Sequence, residues 1–205
     1  KTVLPIIINE NQNILMIRGF VSELKGKLET FRTLNNNEIR KLNEIAKNYN
    51  IKHHNKHKLD LVEEILSNID VIPNSIALAQ AAIESGWGKS RFAKEYNALF
   101  GEYTYDNSQG VIPLERENGE THLIKAFSSY SNSVKSYFNN INSHYAYQDF
   151  RDIRNIMRKR NNFSNINLLV NKLSTYAADK NYIKTVRQVI KTNNFSIFDQ
   201  KTISY

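Results

Sequence analysis

Apolar residues recur every three to four positions along most of the chain, which is the spacing of one face of an α-helix. Three such stripes precede residue 70, and they centre on Ile7, Ile14 and Val21, on Ile39, Leu42 and Ile45, and on Leu61, Val62 and Ile65. Four more follow residue 131, and they centre on Val134, Tyr137 and Phe138, on Phe150, Ile153 and Met157, on Leu169 and Leu173, and on Val186 and Ile190. The pattern predicts a mainly helical protein.

The helical period breaks down between residues 102 and 127. Tyr103 and Tyr105 have the same parity, and residues 122–127 alternate in polarity. Between these two segments lies the pair Asn118-Gly119, which favours a tight hairpin turn. We therefore expect a small β-hairpin lobe within an α+β fold.

Residues 71–101 form the most unusual stretch. Small apolar residues follow Pro73, and the first acid after them is Glu84. The spacings from Gln80 to Glu84 and on to Trp87 are four and three, so we expect these side chains to share a helix face. Gly86 and Gly88 flank Trp87, the only tryptophan in the chain, and are expected to end the helix.

Glu84 is the strongest candidate for chemistry. The negative end of a helix dipole and burial beside an aromatic ring both raise the pKa of a carboxyl group, as a proton donor at neutral pH requires. The two glycines leave room for a bulky ligand, and Trp87 offers a flat face to a sugar ring. The plain alternative is a glutamate that points to water from a helix end. We interpret Glu84 as the proton donor of a carbohydrate-cleaving enzyme.

The net charge of +8 indicates an affinity for polyanions. Arg151, Arg154, Arg158 and Arg160 lie outside their apolar stripe and are the candidates for phosphate contacts. No nucleic-acid motif accompanies them, so anionic cell-wall polymers are the expected partners and nucleic acid is not.

Cofactors are not expected. The chain has no cysteine, which excludes disulfides, thiolate metal sites and a cysteine nucleophile. Three histidines lie within residues 53–57, but without carboxylates at ligand spacing they indicate a solvated turn rather than a metal site.

The chain has no run of 18 apolar residues, so no membrane span is expected. It begins with Lys1. We expect an exported protein of the periplasm or cell envelope whose signal peptide has been removed.

The segment AQAAIESGWGKSRFAKEYNALFG resembles the signature of the N-acetylglucosaminidase domain of glycoside hydrolase family 73. Within that family of autolysins and flagellar peptidoglycan hydrolases, the chain is similar to the Bax-type proteins of Gram-negative bacteria. The resemblance covers roughly residues 71–190. It implies a lysozyme-like fold with a deep groove, and hydrolysis of the β-1,4 bond between N-acetylglucosamine and N-acetylmuramic acid in peptidoglycan.

The resemblance also assigns residues. The catalytic acid of the family falls on Glu84, and the second acid, in the β-lobe, falls on Glu115. The match at Glu115 is looser, so Glu117 and Glu120 remain alternatives. An ionised second acid activates water or stabilises positive charge at the anomeric carbon, although assistance by the substrate's own N-acetyl group would reduce the need for it.

Further residues are expected to line the groove. The family's late tyrosine motif is matched by residues 176–182, which places a groove tyrosine at Tyr176 or Tyr182. The other candidates for substrate contact are Trp87, Gln80, Asn97 and Phe100.

Three segments are predicted: a helical N-terminal extension over 1–70 that packs on the catalytic domain, a glucosaminidase domain over 71–192, and a tail over 193–205. The rival functions are a lytic transglycosylase on the same fold and a non-catalytic peptidoglycan-binding scaffold. The intact Glu84 speaks against the scaffold. The segment Asn97-Ala98-Leu99-Phe100-Gly101 differs from the Gly-Leu-Met-Gln-like segment that is usual in transglycosylases.

Overall fold

The computed structural model describes residues 2–113 and 122–199. The α-helices of this part of the chain are α1 (Val3–Glu29), α2 (Asn36–Asn48), α3 (Lys58–Asn68), α4 (Asn74–Glu84), α5 (Arg91–Tyr96), α6 (Tyr130–Ser143), α7 (Gln148–Lys159), α8 (Asn167–Val170) and α9 (Tyr182–Thr192). Short 3-10 helices lie at Tyr145–Tyr147, Asn171–Leu173 and Phe195–Phe198.

A small antiparallel sheet interrupts the helices. Its strands are β1 (Tyr103–Thr104), β2 (Gly110–Val111) and β3 (Leu123–Lys125), in the order β1-β3-β2. The prediction of a mainly α fold with a small β-lobe is therefore confirmed. The predicted turn at Asn118-Gly119 lies outside the described residues.

The N-terminal helix is an integral part of the core. α1 buries a stripe at Ile7, Ile14, Val21 and Leu24, and it packs against α3, α4 and α6. One cluster of buried apolar side chains extends from Ile7 in α1 to residues of α9. α1 thus shares one core with α4 and α6, and the division of the chain into an extension over 1–70 and a catalytic domain stays a prediction.

The start of α4 is held from both ends of the chain. The Asn11 side chain in α1 donates to the Ile72 carbonyl at 2.9 Å and accepts from the Ile72 amide at 3.0 Å. From the C-terminal side, the Asp199 carboxylate accepts from the Ser75 amide at 2.8 Å and from the Ser75 hydroxyl at 2.7 Å. These bonds satisfy amides at the helix start and fix the axis of α4.

The same contacts show that the first part of the predicted tail over 193–205 packs on α4. Residues Phe195–Phe198 form a 3-10 helix that packs on α4. Asp199 is 7% exposed. The sequence pattern missed this packing because the segment is too short to show a helical period.

The arginines of α7 brace the fold instead of lining its surface. Arg154 is fully buried and donates to the carbonyls of Asn68, Asp70 and Val71, at 2.7–3.2 Å. Arg151, also buried, donates to carbonyls at the end of α6. The prediction that these two side chains are free to contact phosphates is wrong, since both are buried and their guanidinium groups donate to backbone carbonyls inside the protein.

Candidate active site

Glu84 is the last residue of α4, and an unusual turn follows it. Gly86, Trp87 and Gly88 have φ values of +56°, +60° and +74°. The Trp87 amide donates to the Ala82 carbonyl at 2.7 Å, which closes the end of the helix. Three left-handed residues in succession stop the helix abruptly, as the two glycines had indicated.

Glu84 ends a directional chain of hydrogen bonds. The Tyr137 hydroxyl donates to Gln80 Oε1 at 2.6 Å, Gln80 Nε2 donates to the Tyr182 hydroxyl at 2.9 Å, and the Tyr182 hydroxyl donates to Glu84 Oε1 at 2.8 Å. Because Gln80 fills the acceptor position of Tyr182, the Tyr182 proton is directed at Glu84. The chain fixes one oxygen of the carboxyl group and leaves the other, Oε2, to carry a proton.

Two opposing effects set the acidity of Glu84. Burial raises the pKa of the carboxyl group, and the hydrogen bond from Tyr182 lowers it by a smaller amount. Its position at the C-terminal end of α4 also disfavours the charged form. The net effect is a pKa above the ordinary value of a glutamate, as proton donation near neutral pH requires.

Gly101 gives Glu84 its space. A Cβ atom on Gly101 would lie 3.3 Å from Glu84 Oε2, and the residue has φ of +62°. The close approach and the left-handed backbone both require glycine at this position. Oε2 therefore lies against bare backbone on the side away from Tyr182.

Stacked tyrosines and a phenylalanine support this arrangement. The ring of Tyr176 is parallel to that of Tyr182 with centroids 5.7 Å apart, and Phe100 stacks on Tyr137 at 4.0 Å. The Tyr176 hydroxyl donates to the Phe100 carbonyl at 2.9 Å. This packing holds Tyr182 rigidly against Glu84.

The structure brings Glu84, Tyr182, Gln80, Tyr176 and Phe100 together. Gln80 is fully buried, Phe100 is 2% exposed and Tyr182 is 4% exposed. These three are buried and support Glu84 from beneath, and a contact of any of them with substrate stays a prediction. The pattern of spacing identified the right neighbourhood but carried no information on which atoms face outwards.

Asn97 is also a structural residue. It ends α5 with φ of +53°, and its side chain donates to the Phe127 carbonyl at 2.9 Å. Asn97 thus ends α5 and joins it to the segment after β3, and a contact between Asn97 and substrate stays a prediction.

Trp87 lies apart from Glu84. The expected shared face is wrong, since α4 ends at Glu84 and the helical spacing does not continue to residue 87. The Trp87 ring is 56% exposed and lies 6.4 Å from the ring of Phe195. It borders a pocket that is also lined by Leu78 and Ala82 of α4. A contact between Trp87 and a sugar stays a prediction.

The second acid cannot be placed. Glu115, Glu117 and Glu120 all lie outside the described residues. Their assignment stays a prediction.

A polar cavity near Glu84 was missed by sequence reasoning. The Glu102 pocket, as we call it, has a volume of about 620 Å³ and is lined by polar side chains and tyrosines that include Glu102, Lys125, Ser136, Asn139, His144 and Tyr147. One signal was present: Ser136, Asn139, Asn140 and Ser143 recur at helical spacing without a charge among them, and all four line this pocket.

Neither a metal centre nor a membrane helix is found in residues 2–113 and 122–199. No group of three or more histidine, cysteine, aspartate or glutamate side chains is positioned there to hold a metal ion. No helix of the same residues combines the length and the apolar character needed to span a bilayer.

The family profile described as mannosyl-glycoprotein endo-beta-N-acetylglucosaminidase, the glucosaminidase profile, matches residues 59–195. The chain belongs to the glucosaminidase family. This confirms the resemblance seen in the sequence, and with it the prediction of a glycoside hydrolase. The matched range contains Glu84, Tyr182 and the Glu102 pocket except for its Asn50 edge.

Relatives of this glucosaminidase-family chain include Protein bax of Escherichia coli strain K12, which is 30% identical over 179 residues, covering 86% of this chain and 61% of that protein. Peptidoglycan hydrolase FlgJ of the same strain is 36% identical over 93 residues, covering 39% of this chain and 29% of FlgJ. The chain therefore spans less than two thirds of these relatives. Among solved structures, the catalytic domain of the autolysin Auto from Listeria monocytogenes matches with 17% identity and a TM-score of 0.48, covering 87% of this chain and 96% of that domain.

Proposed function

We propose that this chain is an endo-β-N-acetylglucosaminidase that hydrolyses the β-1,4 bond between N-acetylglucosamine and N-acetylmuramic acid in peptidoglycan. The observation that carries the proposal is Glu84, a carboxyl group of raised pKa at a helix end, with one oxygen bonded to Tyr182. Family membership and a relative named as a peptidoglycan hydrolase point to the same substrate.

In this proposal Glu84 protonates the departing sugar oxygen. Tyr182 donates to Oε1, so the transferable proton resides on Oε2, beside Gly101. As the glycosidic bond breaks, the proton moves from Oε2 to the leaving oxygen and Glu84 becomes a carboxylate. The hydrogen bond from Tyr182 then strengthens, because it has an ionised acceptor.

The second acid is proposed to be Glu115, with Glu117 and Glu120 as alternatives. Its ionised carboxylate would activate water or stabilise the positive charge that develops on the anomeric carbon. Glu115→Gln should nearly abolish hydrolysis if the residue is a base or a nucleophile, and reduce it only partly if the substrate's N-acetyl group assists.

Product analysis tests the reaction. Purified peptidoglycan is digested with the wild type and with Glu84→Gln, and the released ends are identified by mass spectrometry after borohydride reduction. We expect reducing N-acetylglucosamine ends from the wild type and none from the folded variant. A 1,6-anhydro end would identify a lytic transglycosylase, while sacculus binding without any cleavage by the wild type would identify a scaffold.

The setting follows from the substrate. Peptidoglycan lies outside the cytoplasmic membrane, so we propose that the protein acts in the periplasm or cell envelope. Its net charge of +8 favours contact with anionic cell-wall polymers. Because Arg151 and Arg154 are buried, that contact falls to the lysines and the remaining arginines.

A further inference from the structure

The Glu102 pocket lies next to the catalytic acid. Glu102 directly follows Gly101, which lies so close to Glu84 that a Cβ atom on it would be 3.3 Å from Glu84 Oε2. Tyr147 lines the pocket, and its ring lies 6.2 Å from that of Tyr176, which stacks on Tyr182. Burial raises the pKa of Tyr147 to about 12, and the charges of Glu102 and Glu84 add to the shift, so both carboxyl groups lie within electrostatic range of this one hydroxyl.

A lysine is fixed in the wall of this pocket. Lys125 Nζ donates to the Ser136 hydroxyl at 3.0 Å and lies over the Phe127 ring at 5.5 Å from its centroid. These contacts pre-organise the ammonium group. Among the described residues it forms no ion pair within 4.0 Å.

The nearby Glu102 does not fully neutralise that lysine. Ser136 stands between them, donating to Glu102 Oε2 at 2.9 Å. Glu102 Oε1 is buried without a hydrogen-bond partner, which disfavours the ionised form. Burial raises the pKa of Glu102 to about 7, against the opposing effects of Ser136 and Lys125. Below neutral pH the pocket therefore presents a net positive charge.

We propose that the Glu102 pocket binds a carboxylate of the peptide attached to the substrate sugar, through the ammonium group of Lys125. This inference rests on the proposed function, since peptidoglycan is a glycan that carries short acidic peptides. Where the peptide is attached, the lactyl carboxyl group of N-acetylmuramic acid is part of an amide bond, so the carboxylates that could pair with a cation lie on the peptide. The uncharged face of α6, with Ser136, Asn139 and Asn140, supplies hydroxyl and amide partners for the peptide backbone.

The volume of the pocket agrees with this ligand. At about 620 Å³ it lies in the range of small-molecule sites and is large enough for two or three amino acid residues. Tyr103 and Tyr145 stand exposed at its rim, where their rings can cover the apolar parts of a peptide.

Binding should weaken as pH rises through neutrality, because ionised Glu102 competes for Lys125 and repels the ligand carboxylate. Other titratable and charged groups surround Glu102. In the wall of the pocket they are Tyr103 of β1, Lys125 of β3, and His144, Tyr145 and Tyr147 in and just before the 3-10 helix. Behind the wall they are Tyr137 of α6, Tyr176 and Glu84.

The test measures binding in the hydrolysis-deficient Glu84→Gln background, so that it does not depend on cleavage. Isothermal titration is carried out with two forms of the N-acetylglucosamine–N-acetylmuramic acid disaccharide, one bearing its peptide and one whose lactyl carboxyl group is capped as an amide, so that the peptide-free form carries no carboxylate of its own. Lys125→Met should weaken binding of the peptide-bearing form roughly tenfold and leave the peptide-free form unchanged. Lys125→Arg should restore most of the difference. Lys135→Met is the matched control. Lys135 is exposed on α6, so its substitution should change the affinity for neither form of the disaccharide.

A second variant tests the part played by Glu102. Glu102→Gln should remove the loss of peptide-bearing affinity between pH 6 and pH 8 while leaving affinity at pH 6 within about twofold. An equal effect of Lys125→Met on both ligands, or no preference of the parent protein for the peptide-bearing form, overturns the inference. The proposed function fails separately, if wild-type protein does not cleave sacculi.

Discussion

Removing the Tyr182 hydroxyl tests the account of Glu84 most directly. In Tyr182→Phe the aromatic stack with Tyr176 remains, but Glu84 Oε1 loses its donor. That bond stabilises the carboxylate more than the acid, so its loss raises the pKa of Glu84. A proton donor works in its protonated form, and activity falls as pH rises through its pKa. The basic limb of the pH–rate profile should therefore move to higher pH.

The size of the shift follows from the bond. A hydrogen bond to a charged group contributes about 1.5–3 kcal/mol, and about 1.4 kcal/mol corresponds to one pH unit. Glu84 is only half-buried, so water replaces part of what is lost. We expect the basic limb of the pH–rate profile to move by about 1 pH unit. Gln80 loses its acceptor in the same variant, which should reduce stability by about 1–3 kcal/mol.

The assay is kcat/KM against pH on peptide-free glycan strands, because this ratio reports the ionisation of the free enzyme. Tyr176→Phe is the matched control: it deletes a hydroxyl from the same stack, but one that donates to the Phe100 carbonyl. Its basic limb should stay in place. A limb that moves to lower pH in Tyr182→Phe, or moves equally in both variants, refutes the role assigned to Tyr182.

Two further predictions concern the frame of the site. Gly101→Ala should lower the free energy of unfolding by about 1–2 kcal/mol, measured by urea denaturation, because residue 101 has a left-handed φ. It should also lower kcat while leaving KM nearly unchanged, because the new methyl group crowds Glu84 Oε2. An unchanged kcat would show that this contact does not matter for catalysis. Burial of Asp70 by itself raises the pKa of its carboxyl group, but Arg158 and the other arginines outweigh burial, so the pKa in the folded protein is lowered. The ionised form therefore stabilises the fold at every pH above the unfolded pKa of about 3.9. This stabilisation is lost as pH falls through the lower pKa of the folded protein. Asp70→Asn should cost about 3–5 kcal/mol at pH 7, and this cost should begin to fall below about pH 4 by roughly 1.4 kcal/mol per pH unit; a cost that stays constant from pH 7 down to pH 2 would contradict the pairing.

The sequence was sufficient for the helical fold, the β-lobe and the position of Glu84. Each has a local cause: a period of 3.6 for α1 and α6, a break in that period for the sheet, and paired glycines for the end of α4. The contacts of the chain ends with α4 were not predictable in this way. Asn11 and Asp199 each meet α4 through a hydrogen bond that spans more than 60 residues, and no local pattern records such a bond.

Two predictions were wrong for the same physical reason: the helix face expected for Trp87, and the exposure expected for the arginines of α7. Spacing assigns a residue to a helix face only while the helix continues, and α4 ends at Glu84, before Trp87 is reached. Polarity assigns a residue to the surface only if its donors need water, and Arg154 finds three carbonyls inside the protein. Both errors arise where tertiary structure replaces the local partner that the pattern assumes.

The proposed peptide-binding site at Lys125 and Glu102 shares part of its backbone with the proposed catalytic site at Glu84. Gly101 must be bare for Glu84 to fit, and this brings the next residue, Glu102, under the wall of the neighbouring pocket. There its carboxyl group is desolvated, and its weakened negative charge leaves the ammonium group of Lys125 available to a ligand. The backbone beside the proposed proton donor also pairs with the strand that carries the proposed cation, since the Glu102 carbonyl accepts from the Lys125 amide at 2.8 Å. A single binding event would then position both the sugar bond and its peptide.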